Sequence, residues 1–382
     1  MTDFSQTQNS RSAIHAEQLD YGAEFEKKYR EFRTAIAKPN ILLTGGTGVG
    51  KSALINTLFS AELAKVGAGK PQTQSIASYE GETVTLFDSA GYETGEDNQQ
   101  KYFDEVIGFI LDRQKSPTTQ IHLVWYCISC SSHRVLDIDL QIIQEVSRTR
   151  PCAVVLTKAD TLSEARADEM KAAIRAGVPG VALFETSTDT SLNLKGNDLL
   201  EWSYQHLDES LREAFVSSLN EGIDMKLSEG RKACMIYAAA AAAIAASPIP
   251  FSDAALLVPN QIAMIARLAS IWDLPNLRSL AGSTVVSTLV SQLGRTLAGN
   301  LIKFIPGLGS WVGGAVNAAV ASAITAAIGF SINEICGRIA RDRLQNKVND
   351  LSSYFDTNAL ESLIRANMDR AREETANQQG AN

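Results

Sequence analysis

Gly45-Gly46-Thr47-Gly48-Val49-Gly50-Lys51-Ser52 is the stretch on which the fold turns. It has the spelling G-x-x-x-x-G-K-[ST] and stands between the apolar run 41–44 and a helical pattern over 51–60. A strand before and a helix after are the context in which that spelling makes a phosphate-binding loop. The residue types follow from the chemistry. Glycines let the backbone turn tightly, so that successive N–H groups and the positive end of the next helix face an anion. Lys51 adds a point charge at the outer phosphates, and the Ser52 hydroxyl is a ligand for the magnesium ion that accompanies them.

Outward from the octet the pattern alternates. Apolar runs at 76–79 and 83–88 flank Glu80-Gly81-Glu82, a short glycine-containing turn that predicts a hairpin. Helical spacing near 99–114, 136–148 and 162–176 then alternates with strand-like runs at 121–127, 153–157 and 181–185. The expected fold is therefore α/β, a mostly parallel sheet with helices on both faces and one antiparallel strand from the hairpin, followed by an all-α domain. Residues 1–37 read as a loose tail and a leader helix that Pro39 stops, and 38–205 as the phosphate-loop domain. Strand signals end after Ser187; 206–375 reads as an all-helical domain rich in Ala and Gly, and 376–382 as a loose tail.

An ATP site could share the same loop, so the base must be read elsewhere. Thr157-Lys158-Ala159-Asp160 follows an apolar strand and has the form [NT]-K-x-D. A carboxylate at Asp160 can accept hydrogen bonds from the guanine ring N–H and exocyclic amine, a donor pair that adenine lacks on that edge. Lys158 would lay its aliphatic stem along the base. Asp88-Ser89-Ala90-Gly91 ends a strand, where the acid would hold magnesium through water and the Gly91 N–H would meet the γ-phosphate. The loop 65–75 between these motifs offers Thr73 as a further magnesium ligand, with Ser75 as the alternative, and Glu185-Thr186-Ser187 could supply contacts to the guanine oxygen.

These five stretches resemble the signature motifs of the Ras-like and Era-like GTPase superfamily over roughly residues 38–205. The resemblance implies a six-stranded P-loop GTPase domain that hydrolyses GTP to GDP, with 65–75 and 91–97 as switch loops. Nucleotide contacts are then expected from Gly45, Gly46, Thr47, Gly48, Val49, Gly50, Lys51, Ser52, Asp88, Gly91, Thr157, Lys158, Asp160 and Ser187. Magnesium is expected at Ser52, Thr73 and Asp88, and Lys51, Thr73 and Gly91 are expected to act at the γ-phosphate. The helical half is similar to the YcjF-type domain of unknown function through Ile249-Pro250-Phe251 to Gln261 and Ile305-Pro306-Gly307-Leu308-Gly309.

Two positions depart from a fast enzyme. Tyr92 stands where Ras-like proteins place a water-positioning glutamine, and Gly48 where potassium-activated relatives carry asparagine. Slow hydrolysis is expected unless a partner or a second copy assists; candidate helpers within the chain are Glu93, Arg113, His133 and Arg134, each also readable as an ordinary surface residue. Arg134 is the first to test.

With 35 Lys and Arg against 43 Asp and Glu, the net charge of −8 disfavours a nucleic-acid partner and with it a ribosome-assembly role. Five cysteines and a start without an apolar signal segment predict a cytoplasmic protein; Cys127 and Cys130 read as buried strand residues rather than a redox pair. The charge-free stretch 304–333 exceeds the about 20 residues that span a bilayer. Gly313, Gly314, Asn317, Ser322 and Thr325 dilute it, so it is either a buried bundle helix or a membrane-associating one. Two functions follow: a GTP-driven switch coupled to that helical domain through a membrane, a protein partner or a homodimer, or a slowly turning scaffold that oligomerises or remodels membranes.

Overall fold

The computed structural model describes residues 21–59, 70–71, 76–93, 95–187, 196–220, 222–246, 253–273, 314–347 and 352–380. Thr73 and Ser75, Pro248 and Pro250, and residues 304–313 lie outside them. Two compact units are present, one formed by Phe32–Gly230 with Ser270–Asp273 and the other by the remaining helices.

The first unit begins in helix α1 (Tyr21–Ala35) and strand β1 (Asn40–Gly45), the latter buried throughout because both of its faces are covered. Helix α2 (Lys51–Leu58) follows the glycine-rich turn, then β2 (Lys70–Pro71), β3 (Ile76–Glu80) and β4 (Thr85–Ser89). After β4 come α3 (Glu96–Arg113), β5 (Leu123–Ser129), α4 (Asp137–Ser147), β6 (Cys152–Thr157), α5 (Glu164–Gly177) and β7 (Ala182–Glu185). Two helices close the unit, α6 (Asn197–His206) and α7 (Glu209–Ser218).

The sheet order is β2-β3-β4-β1-β5-β6-β7. β4, β1, β5, β6 and β7 are parallel, and β3 is antiparallel to β4 across the predicted hairpin, where the Gly81 N–H bonds Val84 O at 2.9 Å. The expected six strands are thus all present, and the two-residue β2 adds an antiparallel edge. Alternation explains the two layers. Leu42, Val124, Tyr126, Val154 and Leu156 face α3, α4 and α5, whereas Ile41, Leu43, Leu123, Trp125, Ala153 and Val155 face α2, α6 and α7. Burying apolar side chains on both sides of parallel strands is what the continuous apolar runs required.

The register brings Leu43 beside Asp88, Gly45 beside Cys127 and Ser129 beside Thr157, so the motif residues share the C-terminal edge of the strands. On the opposite flank Arg33, almost fully buried, pairs with Glu82 at 2.6 Å and Asp273 at 3.1 Å and donates to the Ser217 hydroxyl at 3.1 Å. A buried guanidinium is tolerated there because two carboxylates and a hydroxyl replace its water.

The second unit contains α8 (Ile223–Ala246) from Arg231 onward, most of α9 (Asp253–Trp272), α10 (Gly314–Leu344) and α11 (Thr357–Gly380). α10 lies along α11, where the Asn367 amide donates to Ser331 Oγ at 3.2 Å. Gly329 lets α10 approach α8 closely, since a Cβ there would sit 2.5 Å from Cys234 Sγ. Arg231 Nε donates to Glu374 at 2.9 Å with its guanidinium 5.2 Å from the Phe330 ring centre, joining α8, α10 and α11.

Candidate nucleotide site

Gly45 ends β1 with φ +131°, and a Cβ at this position would fall 2.1 Å from Cys127 O, so only glycine can leave the strand here. The chain then turns over the start of α2. Lys51, 5% exposed, bends back to donate to Gly45 O at 3.2 Å and Gly46 O at 2.9 Å. Burial pushes its ammonium pKa down, with Cys127 and Asp88 pulling the other way. A cation held in a dry turn between backbone amides is placed to receive a phosphate.

Ser52 donates to Asp88 Oδ2 at 2.7 Å, while Asp88 Oδ1 is buried without a hydrogen-bond partner among the described residues. Burial raises the Asp88 pKa, opposed by the Ser52 hydrogen bond and by Lys51. An unsatisfied buried carboxylate oxygen beside a hydroxyl is a donor set that a hard divalent cation fits.

The loop after β4 rests on the phosphate loop. Thr47 N and Oγ1 both donate to Tyr92 O, at 3.2 and 3.1 Å, and Gly91 (φ +90°) passes so close that a Cβ would lie 2.5 Å from Thr47 N. The predicted base-reading loop reaches the same place from β6. Thr157 Oγ1 donates to Val49 O, and Lys158, in a left-handed conformation, donates from Nζ to Gly48 O at 2.9 Å. Asp160 accepts from Ser187 Oγ at 2.5 Å, and the Ala159 N–H bonds Thr186 O at 3.1 Å.

All the site residues anticipated from sequence that are described, from Gly45 to Ser52 and at Asp88, Gly91, Thr157, Lys158, Asp160 and Ser187, therefore gather at one edge. Tyr92 lies with its ring against the phosphate loop, its Cζ 3.5 Å from where a Cβ on Gly46 would sit. Its hydroxyl donates to Asp139 Oδ1 at 2.6 Å, and burial and Asp139 hold its pKa well above the usual phenol range. Of the suggested helpers, Arg113 stacks 4.5 Å from both the Phe87 and Phe109 ring centres, and Arg134 is exposed beyond the turn that follows β5. Cys127 lies in β5 as expected, whereas Cys130 begins the 3-10 turn after it; both thiols are buried, with pKa values pushed up to about 12 and about 11 by burial. Tyr102 and Asp139 carried no sequence signal. Tyr102 reaches Thr44 and Ser89 hydroxyls at 2.7 Å each and accepts from the Gly45 N–H at 3.1 Å beneath the phosphate loop.

The Septin family model matches residues 37–226, and a domain of unknown function, DUF697, matches 207–358. The fold is that of a P-loop GTPase domain followed by a helical domain. This match does not single out the Era-like branch that the motifs suggested. Curated relatives include the neuronal-specific septin-3 of Danio rerio, 27% identical over 36% of this chain and 45% of its own. Septin-12 of Homo sapiens is 24% identical over 44% of this chain and 57% of its own. The chain thus spans about half the length of the curated relatives it matches. Among solved structures, a septin GTPase domain from Chlamydomonas reinhardtii is 23% identical, covering 38% of this chain and 62% of its own at a TM-score of 0.26. A probable GTP-binding protein engB is 20% identical, covering 46% and 99%, with a TM-score of 0.33.

Proposed function

We propose that the chain binds GTP with magnesium and hydrolyses it to GDP and phosphate, acting as a switch whose helical domain carries the output. The observation behind this reading is the joining of Thr157 to Val49 and of Lys158 to Gly48, which ties the phosphate loop to the loop that ends in Asp160 and Ser187. A guanine base and its phosphates would span the same two loops. The Septin family match over the same residues supports it. Magnesium, when bound, would supply positive charge that offsets the charge of the phosphates. Ser52 and Asp88 would hold it, with Thr73 as a third ligand. Lys51 and the Gly91 N–H would meet the γ-phosphate. We keep residues 38–205 as the nucleotide domain followed by a helical domain over 206–375, whose first helix, α7, packs on the sheet. Five buried free thiols support a cytoplasmic site, and the acidic charge argues against nucleic acid.

Tethering of Tyr92 to Asp139 favours a second reading, in which GTP is a slowly turned-over structural ligand of an oligomerising or membrane-remodelling scaffold. A side chain held on α4 cannot orient an attacking water, and a partner or second copy would have to supply that group. Light scattering with GDP and with a non-hydrolysable GTP analogue separates the readings: a scaffold changes its assembly state, and a monomeric switch does not. Arg134→Ala tests the helper within the chain. Unchanged single-turnover hydrolysis removes Arg134 from the mechanism.

A further inference from the structure

Asp139 belongs to none of the nucleotide motifs, yet it is 3% exposed and its carboxylate collects three donors. Oδ2 accepts the Leu136 N–H at 2.9 Å, capping α4. Oδ1 accepts the Tyr126 hydroxyl at 2.7 Å and the Tyr92 hydroxyl at 2.6 Å. Two of these donors are core scaffold, since Leu136 opens α4 and Tyr126 is fully buried in β5. Tyr92 comes instead from the segment that follows β4.

We infer that Asp139 is a positioning residue for Gly91, acting through Tyr92 as a tether between α4 and the phosphate loop. The tether is continuous. Asp139 fixes the Tyr92 hydroxyl, the ring packs 5.6 Å from that of Tyr102, and the Tyr92 carbonyl accepts both Thr47 N and Thr47 Oγ1. Gly91 lies between this anchor and Asp88 of β4. A glycine at positive φ has no side chain to hold it, so its place is set by its neighbours. With Tyr92 tethered, the Gly91 N–H is held over the loop at the position where a γ-phosphate would accept from it, and the chain does not have to order that segment on binding. The tether therefore adds discrimination in favour of the triphosphate over the diphosphate.

This inference rests on the reading of the site as a guanine-nucleotide site, and two measurements separate them. Tyr92→Phe and Tyr126→Phe each remove one hydroxyl from the same carboxylate oxygen, but only the first touches the tether. Titration of full-length protein with GDP and a non-hydrolysable GTP analogue should show Tyr92→Phe weakening the analogue about tenfold, the scale of one charge-assisted hydrogen bond. GDP should stay within about twofold, and Asp139→Asn should behave like Tyr92→Phe while Tyr126→Phe behaves like wild type. Equal ratios in wild type and Tyr92→Phe, or equal effects of the two phenylalanines, would overturn the tether. Amide exchange in the nucleotide-free protein decides it independently: Thr47 and Gly91 should exchange faster in Tyr92→Phe but not in Tyr126→Phe. Failure of wild type to bind either nucleotide refutes the site reading, and the exchange result still accepts or rejects the tether.

Discussion

Lys51 and Asp88 are a buried cation and a buried acid, and burial shifts each towards its neutral form. Each shift is what a phosphate or a cation would reverse, which is why these positions carry the functional reading. Gly91 is the sharpest steric test. Its substitution by alanine puts a Cβ 2.5 Å from Thr47 N and 2.6 Å from Gly46 C at a backbone angle of +90°. Gly91→Ala should weaken a GTP analogue at least about tenfold, because the strained Cβ displaces this segment from the phosphate loop. A variant that binds the analogue normally would contradict the placement of this backbone. A different residue, Lys226, gives a pH test. It is fully buried, and burial lowers its pKa to about 8, with Asp273 opposing and Arg33 reinforcing the shift. Between that value and the usual lysine pKa near 10.4 the unfolded chain binds more protons than the folded one, so this residue's contribution to stability rises with pH. Urea unfolding should show wild type gaining roughly 2 kcal/mol relative to Lys226→Met from pH 7.5 to 9.5. A difference that does not move with pH would show that Lys226 is not a buried titrating group. At this scale the sequence is legible where chemistry restricts the spelling, as at Lys51 and Asp160. It is silent at Asp139, because an aspartate in a helix's first turn has the ordinary reading of a cap.

Among the elements, α7 shows where periodicity misleads. Strand signals end after β7, so the helices beyond read as a separate domain from residue 206. Leu211, Phe215 and Val216 of α7, and Leu219 after it, are instead buried against the sheet, and Leu219 pairs with Phe59. Helical spacing announces an apolar face but not which layer it covers. Losing burial of these side chains costs about 1.5–3 kcal/mol for each large one, a sum comparable with a whole domain's stability of about 5–15 kcal/mol. A chain of residues 21–207 should therefore show no cooperative melt by circular dichroism, whereas one of 21–230 should; a cooperative shorter chain would contradict the role of α7. For α10 the question is lipid or core. It contains one span of suitable length and mean hydropathy, Ala318–Leu344, and 72% of the most apolar window is buried by protein. Ser322, Thr325, Ser331 and Asn333 are buried along it, and Asn367 of the charged helix α11 bonds Ser331. Withdrawing α10 into lipid would break that pairing, and this supports the bundle-core reading. Expressed protein should leave membranes in alkaline carbonate; retention in the pellet would contradict this. Composition could not settle the point, because small residues at helical spacing suit both solvents.

At the scale of the molecule, a seven-stranded sheet orders the site simply by aligning strand ends, and the motifs were legible together because each stands at the C-terminal end of a strand. Gly45, Asp88, Thr157 and Ser187 are far apart in sequence, yet parallel register carries them to one edge, the position where open α/β sheets bind ligands. The hairpin and the two-sided core were equally readable, since each follows from local apolar pattern. Less was legible wherever function depends on what one segment rests upon, as with Tyr92 on Asp139 or α7 on the sheet. Guanine recognition rests on Asp160, held by Ser187 beside the phosphate loop. Competition of GTP, ATP and XTP against a fluorescent GDP is the direct measurement, made on wild type and Asp160→Asn. GTP should displace the probe at least about a hundredfold more effectively than ATP, the scale of two charge-assisted hydrogen bonds, and Asp160→Asn should turn the preference to XTP. Equal displacement by ATP and GTP from wild type would contradict the account.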